Sequence, residues 1–188
     1  SAAVCAVIDA QHVRRAGDSH ACCACHAAPA RRLAAAPLRE LRVANMQLEG
    51  PSVPDALRLC ANSCAATLQT VELSGNLLGG ALKDLPALTA LRELGLASVG
   101  LSGPPLNEMV QVLGQVVPNL TSLDLSENDV GGNMSAAFAA FEHLTSLGLA
   151  GMRLTGALPK ASALPPKLEV LNLGPDGNRE EKAGYAYN

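Results

Sequence analysis

Leu120 to Gly132 reads LTSLDLSENDVGG. Its apolar residues fall at Leu120, Leu123, Leu125 and Val130, with Asn128 between the last two, which gives the frame L-x-x-L-x-L-x-x-N-x-L. Alternation around Leu123 predicts a short strand, with Leu123 and Leu125 pointing inward and Ser122, Asp124 and Ser126 facing the other way. Asn128 falls where the chain must turn out of that strand. A unit this small cannot close a core alone, so its meaning depends on copies.

The copies are present. LQTVELSGNLLGG repeats the frame with Leu68, Val71, Leu73, Asn76 and Leu78. LRELRVANMQLEG does so with Leu38, Leu41, Val43 and Leu48, LRELGLASVGLSG with Leu91, Leu94, Leu96 and Leu101, and LTSLGLAGMRLTG with Leu144, Leu147, Leu149 and Leu154. A degraded sixth copy has Leu168, Leu171 and Leu173, then dissolves into GPDGN. Long and short copies alternate, and Leu38, Leu91 and Leu144 stand 53 residues apart. The copies at Leu38, Leu91 and Leu144 carry Met46, Val99 and Met152 where those at Leu68 and Leu120 carry Asn76 and Asn128. This is the pattern of a duplicated two-copy unit whose third instance is shortened.

Six matches in register resemble the leucine-rich repeat family over about residues 38–178. The endings LEGP, LSGPP and LTGALP resemble plant-type extracellular repeats, mixed here with longer, helix-containing copies. The resemblance implies an α/β fold: a short curved solenoid with a parallel sheet on its concave face and a helical, Cys-containing N-terminal cap. Three regions are expected: a cap at 1–37, about six repeats at 38–174, and a polar tail or minimal cap at 175–188. In the cap, Val4, Val7 and Ile8 predict a helix ending at Gly17, and ARRLAAA a second one stopping before Pro37. Plant-type caps pair a helix with two Cys, a pattern that residues 4–25 loosely resemble while lacking the usual Trp and Gly-Val-x-Cys.

Two further helices are expected on the other side of the sheet. Pro54 to Ala66 places Leu57, Cys60, Ala61 and Cys64 on one face, and Leu106 to Val117 follows 53 residues later, closed by Pro118. That shift sets Cys60 on Leu113 and Cys64 on Val117, so these cysteines read as small apolar core residues rather than a bridge. The short copies should have only extended or tight-turn connections.

Composition narrows the function. Fourteen Lys and Arg against 17 Asp and Glu give a net charge of −3 with no basic stripe, which argues against nucleic acid. No apolar run approaches the ~18 residues that span a bilayer. The chain begins at Ser1, as after removal of a targeting segment or a trimmed end. Cys22-Cys23-Ala24-Cys25-His26 contains C-x-x-C-H, the haem c attachment spacing, with His20 nearby. Cys22, Cys25 and His26 could also ligate zinc, although no second ligand pair follows. The reading taken is a cap disulfide from Cys5 to one of Cys22, Cys23 or Cys25, and no cofactor.

Asn119-Leu120-Thr121 and Asn133-Met134-Ser135 are glycosylation sequons, which favours a secretory history. No Ser, His or carboxylate constellation forms a catalytic set, so the chain reads as non-enzymatic. The candidate surface is the concave sheet. One outward column is Arg42, Glu72, Gly95, Asp124, Gly148 and Asn172, and the column before it is Glu40, Thr70, Glu93, Ser122, Ser146 and Val170. Partner binding is assigned there to Glu40, Arg42, Thr70, Glu72, Glu93, Ser122, Asp124 and Asn172. The face is acidic, small and free of aromatics, which suits a basic, close-fitting protein partner. The function expected is a protein-binding scaffold, an accessory subunit of a larger assembly. The alternatives are an extracellular ligand-recognition ectodomain or inhibitor of plant-receptor type, and a metal or haem module on the Cys22–His26 loop. The compartment expected is extracellular or an organelle lumen.

Overall fold

The central residue of every frame sits in a three-residue strand. The structure, a computed structural model, describes residues 38–134, 136–157 and 159–174. In chain order the elements are β1 (Glu40–Arg42), α1 (Val53–Cys64), β2 (Thr70–Glu72), β3 (Glu93–Gly95), α2 (Leu106–Val116), β4 (Ser122–Asp124), β5 (Gly131–Gly132), a 3-10 segment (Ala136–Ala140), β6 (Ser146–Gly148), β7 (Arg153–Leu154), a second 3-10 segment (Ala161–Ala163) and β8 (Val170–Asn172). Strands β1, β2, β3, β4, β6 and β8 form one parallel sheet in that order. Its register aligns Leu41, Val71, Leu94, Leu123, Leu147 and Leu171, the same frame position in all six copies. Each copy is a crossover that returns the chain to the same end of the sheet, which is what parallel pairing requires.

The frame leucines form one continuous apolar layer behind the sheet. Leu68, Leu91, Leu94, Leu96, Leu120, Leu123, Leu125, Leu144 and Leu147 are all essentially inaccessible to water. The chain leaves β1, β2, β3, β4 and β6 through a left-handed residue at the same frame position: Asn45, Gly75, Ser98, Glu127 and Gly151 have φ between +51° and +71°. Glycine suits two of these turns for a second reason. A Cβ on Gly75 would run into the Asn45 side chain, and one on Gly151 into the Glu127 carboxylate.

Asn76 and Asn128 are the polar fasteners of the stack. Asn128 Oδ1 accepts from the Val99 and Leu101 N–H groups at 3.2 and 2.9 Å, and its Nδ2 donates to the Leu96 and Leu125 carbonyls at 2.7 and 2.8 Å. Asn76 repeats the pattern, accepting from Met46 and Leu48 at 3.1 and 3.0 Å and donating to Val43 and Leu73 at 2.8 and 2.6 Å. Each short copy therefore satisfies the turn of the long copy before it. This explains why the long copies tolerate Met46 and Val99 at that position. Past the turn a second, narrower parallel ladder forms, with β5 on β7 and bridges at Glu49–Leu77 and Gly80–Leu101.

Both helices stand where the 53-residue shift places them. Val53, Leu57 and Cys60 on α1 and Leu106, Val110 and Leu113 on α2 are buried, each 53 residues apart. Cys64 is half-buried, and its Sγ donates to the Cys60 carbonyl at 3.0 Å. Helix α1 stops at Cys64 rather than reaching Ala66, because the N–H groups of Thr67 and Leu68 both turn back to the Cys64 carbonyl on the way into β2. At its start, Ser52 donates to Asp55 at 2.7 Å and Arg58 bonds the same carboxylate at 2.7 Å. Hydrogen bonding, first from Ser52 and then from Arg58, holds the Asp55 carboxyl below its ordinary value. In the short copy after α2 no helix forms. A 3-10 turn drops Phe138, followed by Phe141, into the core beside α2, both with no exposure.

The expected cap at 1–37, with its helices and Cys5, Cys22, Cys23, Cys25, His20 and His26, lies outside the described residues, as does the tail at 175–188.

Candidate functional site

The concave columns fall into the register expected from the frame. Arg42, Glu72, Gly95, Asp124, Gly148 and Asn172 are successive partners across the sheet, and so are Glu40, Thr70, Glu93, Ser122, Ser146 and Val170. Adjacent strands lie about 4.8 Å apart, so side chains in one column touch their neighbours. Four carboxylates, those of Glu40, Glu72, Glu93 and Asp124, face one guanidinium, Arg42. These columns thus carry −3, equal to the formal charge of the whole chain.

The charges are not equally available. Arg42 bonds Glu40 at 3.2 Å and reaches Glu93, two strands away, at 3.3 Å. Hydrogen bonding to Glu40, helped by the charges of Glu40 and Glu93, holds the Arg42 guanidinium above its ordinary value. Thr70 is buried beneath this group and donates to Glu93 at 3.2 Å. Glu40, Arg42, Thr70 and Glu93 therefore form one paired network at the N-terminal end of the face, with its charged side chains still about half-exposed. Thr70 contributes to it by holding Glu93 rather than by presenting a hydroxyl to solvent.

Glu72 and Asp124 belong to a different device, repeated in both short copies. Glu72 accepts from the Ser74 N–H, and Ser74 Oγ accepts from the Ala97 N–H, each at 3.0 Å. Asp124 accepts from the Ser126 N–H at 3.0 Å, and Ser126 Oγ from the Ala150 N–H at 3.2 Å. Each carboxylate lies down over the glycine of the next copy: a Cβ on Gly95 would collide with the Glu72 carboxylate, and one on Gly148 with that of Asp124. The glycines are thus the floor on which the acids rest. Ser126, expected to stand out with Ser122 and Asp124, is buried instead, because its hydroxyl ties the strand exit to Ala150. Gly148→Val should lift Asp124 off the floor and lower stability by about 1–3 kcal/mol, an overpacking cost readable as a fall in denaturation midpoint.

Among the remaining assigned residues, Ser122 is half-exposed, while Asn172 is exposed and turns inward to accept from the Gly174 N–H at 3.1 Å. Val170, at the end of the second column, is 55% exposed. The sequon at Asn119 sits at the corner between α2 and β4, and Asn133 is exposed just after β5. His143 meets the Lys167 Nζ at 3.4 Å, at the rim. Among the described residues no group of three or more His, Cys, Asp or Glu is placed to hold a metal ion, and no helix is long and apolar enough to cross a membrane. Nothing in a single copy's pattern announces the acid-on-glycine device. Its signal was the pairing of Glu72 with Gly95 and of Asp124 with Gly148, each one copy apart in the same column.

Neither a protein-family model nor a curated protein sequence matches the chain. Solved structures do. A plant peptide hormone receptor, RGFR1 in complex with RGF2, is 26% identical with a TM-score of 0.54, over 73% of this chain and 20% of that one. Pollen Receptor Kinase 3 is 24% identical with a TM-score of 0.55, over 72% of this chain and 59% of that one. The BIR2 ectodomain from Arabidopsis thaliana is 26% identical with a TM-score of 0.49, over 74% and 69%. The chain thus spans a fifth of the first receptor's length and about three fifths of the second's. The fold is like that of leucine-rich repeat ectodomains, a non-catalytic, ligand-binding architecture, and this agrees with a chain that is not an enzyme.

Proposed function

We propose that the chain is a non-enzymatic protein-recognition module, a leucine-rich repeat solenoid whose concave sheet receives a basic segment of another protein. The observation that carries this is the face itself, with net charge −3 on two columns and two carboxylates laid flat over Gly95 and Gly148. A flat, anionic floor without aromatics gives its partner charge complementarity and close approach rather than deep hydrophobic anchors. The partner-binding set is Glu40, Arg42, Glu72, Glu93, Ser122, Asp124 and Asn172, with Thr70 positioning Glu93. Domain limits follow the frame: a cap at 1–37 stapled by Cys5 and one of Cys22, Cys23 or Cys25, repeats at 38–174, and a tail at 175–188.

Of the two settings for such a module, the likeness to a receptor solved with RGF2 favours an extracytosolic ligand-recognition ectodomain over an accessory subunit of a larger assembly. The test is to purify the native protein under mild conditions and measure binding to whatever polypeptide co-purifies. Reversing both charges, Glu72→Lys with Asp124→Lys, should weaken that binding about tenfold or more, chiefly through slower association, and added salt should weaken the parent in the same way. A monomer with no co-purifying partner would overturn the recognition role. Unchanged affinity in the double variant would move the interface to the convex side or the ends.

A further inference from the structure

The two N-x-S/T triplets differ in how the fold holds them. Asn119-Leu120-Thr121 lies wholly within the corner that joins α2 to β4, with Leu120 buried as a frame residue. Asn119 is half-exposed, and its Nδ2 donates to the Thr89 carbonyl of the preceding copy at 2.8 Å. Thr121 Oγ1 donates to the Arg92 carbonyl at 3.0 Å. Asn119 stands three residues ahead of Ser122, on the helix side of the corner, and the neighbouring copies place Ala90 and the exposed His143 at its frame position. Asn133 is exposed just after β5, and its Ser135 lies outside the described residues.

From this placement we infer that Asn119 is an N-glycosylation site, whose glycan covers the rim where the chain enters the sheet and leaves the acidic floor open. The inference rests on the extracytosolic reading above. The donor is a lipid-linked oligosaccharide diphosphate. The bond from the sugar C1 to the phosphate oxygen breaks, C1 bonds to Nδ2, one amide proton departs, and the lipid diphosphate leaves. The product is a secondary amide with one N–H, which is enough for the single bond to Thr89, so the modified chain keeps its corner. A bulky, hydrated chain there denies that rim to a protein partner.

Site mapping on the native protein tests this. Peptides are treated with a peptide N-glycosidase in heavy-oxygen water, which converts a glycosylated Asn to labelled Asp. Conversion at residue 119 is the expected result. Thr121→Ala should lose the whole glycan increment at that site, and Thr121→Ser, which keeps both the sequon and a hydroxyl for Arg92, should retain it. An unmodified Asn119 in protein recovered from outside the cytosol overturns the site while leaving the compartment reading intact. Recovery of the native protein from the cytosol alone overturns both.

Discussion

Asn128→Ala should cost about 3–5 kcal/mol, because it strands buried backbone groups rather than merely removing a side chain. The Val99 and Leu101 N–H groups lose their acceptor, and the Leu96 and Leu125 carbonyls lose a donor, at a residue only 3% exposed. At about 2–4 °C per kcal/mol for a chain of this size, the melting midpoint should fall on the order of 10 °C. The loss should also be local. In a stack where each copy touches only its neighbours, stability is close to a sum of copy and interface terms. Hydrogen exchange should therefore accelerate at Val99 and Leu101 before it does at Met46 and Leu48, which Asn76 still holds. Asn45→Ala is the contrast: Asn45 is exposed in the left-handed region at φ +57°, so only the backbone cost of Ala there, about 1 kcal/mol, should be lost. Equal exchange throughout the stack in the Asn128 variant would refute the nearest-neighbour account.

This fastening is the part of the fold that the repeat frame does not encode. The frame gave the strands, their register and the long–short alternation, because inward leucines at fixed spacing leave few ways to stack. It gave the helices too, since the shift of 53 carries Val53 to Leu106 and Cys60 to Leu113, all four buried. The direction in which Asn128 reaches was not legible, since a turn asparagine satisfies either neighbour equally well on paper. Nor were the left-handed turns at Ser98 and Glu127, where neither residue type announces a positive φ. At the concave face the columns were legible, but their chemistry was not. Gly95 and Gly148 read as gaps in a charged column, whereas they are what lets Glu72 and Asp124 lie flat. Thr70 and Ser126 read as surface hydroxyls, whereas burial spends both on neighbouring copies. Such roles depend on what the adjacent copy presents, which one copy's pattern does not contain.

Phe141→Ala should be about as damaging, costing about 3–5 kcal/mol as a large buried aromatic truncated in a close-packed site. Phe138 and Phe141 are the only phenylalanines in the chain, both fully buried, and they fill the volume that a helix fills in the long copies. A 3-10 turn of small residues has few rotamers with which to close the resulting cavity, since Gly114 and Ala140 on the facing surfaces have almost no side chain to move. Phe141→Leu, which keeps much of the apolar volume, should cost less. Combined variants then separate packing from position in the stack. Phe141 and Asn128 hold the same short copy, so their double alanine variant should lose less than the sum of the singles, because loosening the copy once removes much of what the second change could destroy. Phe141 and Asn76 hold different pairs, and their losses should add within ~0.5 kcal/mol. Denaturation midpoints of the three single and two double variants decide this. Additivity in both doubles would mean that the Asn fastener and the Phe-filled turn act on separate structural units, and the copy from Leu120 to His143 would then not unfold as one.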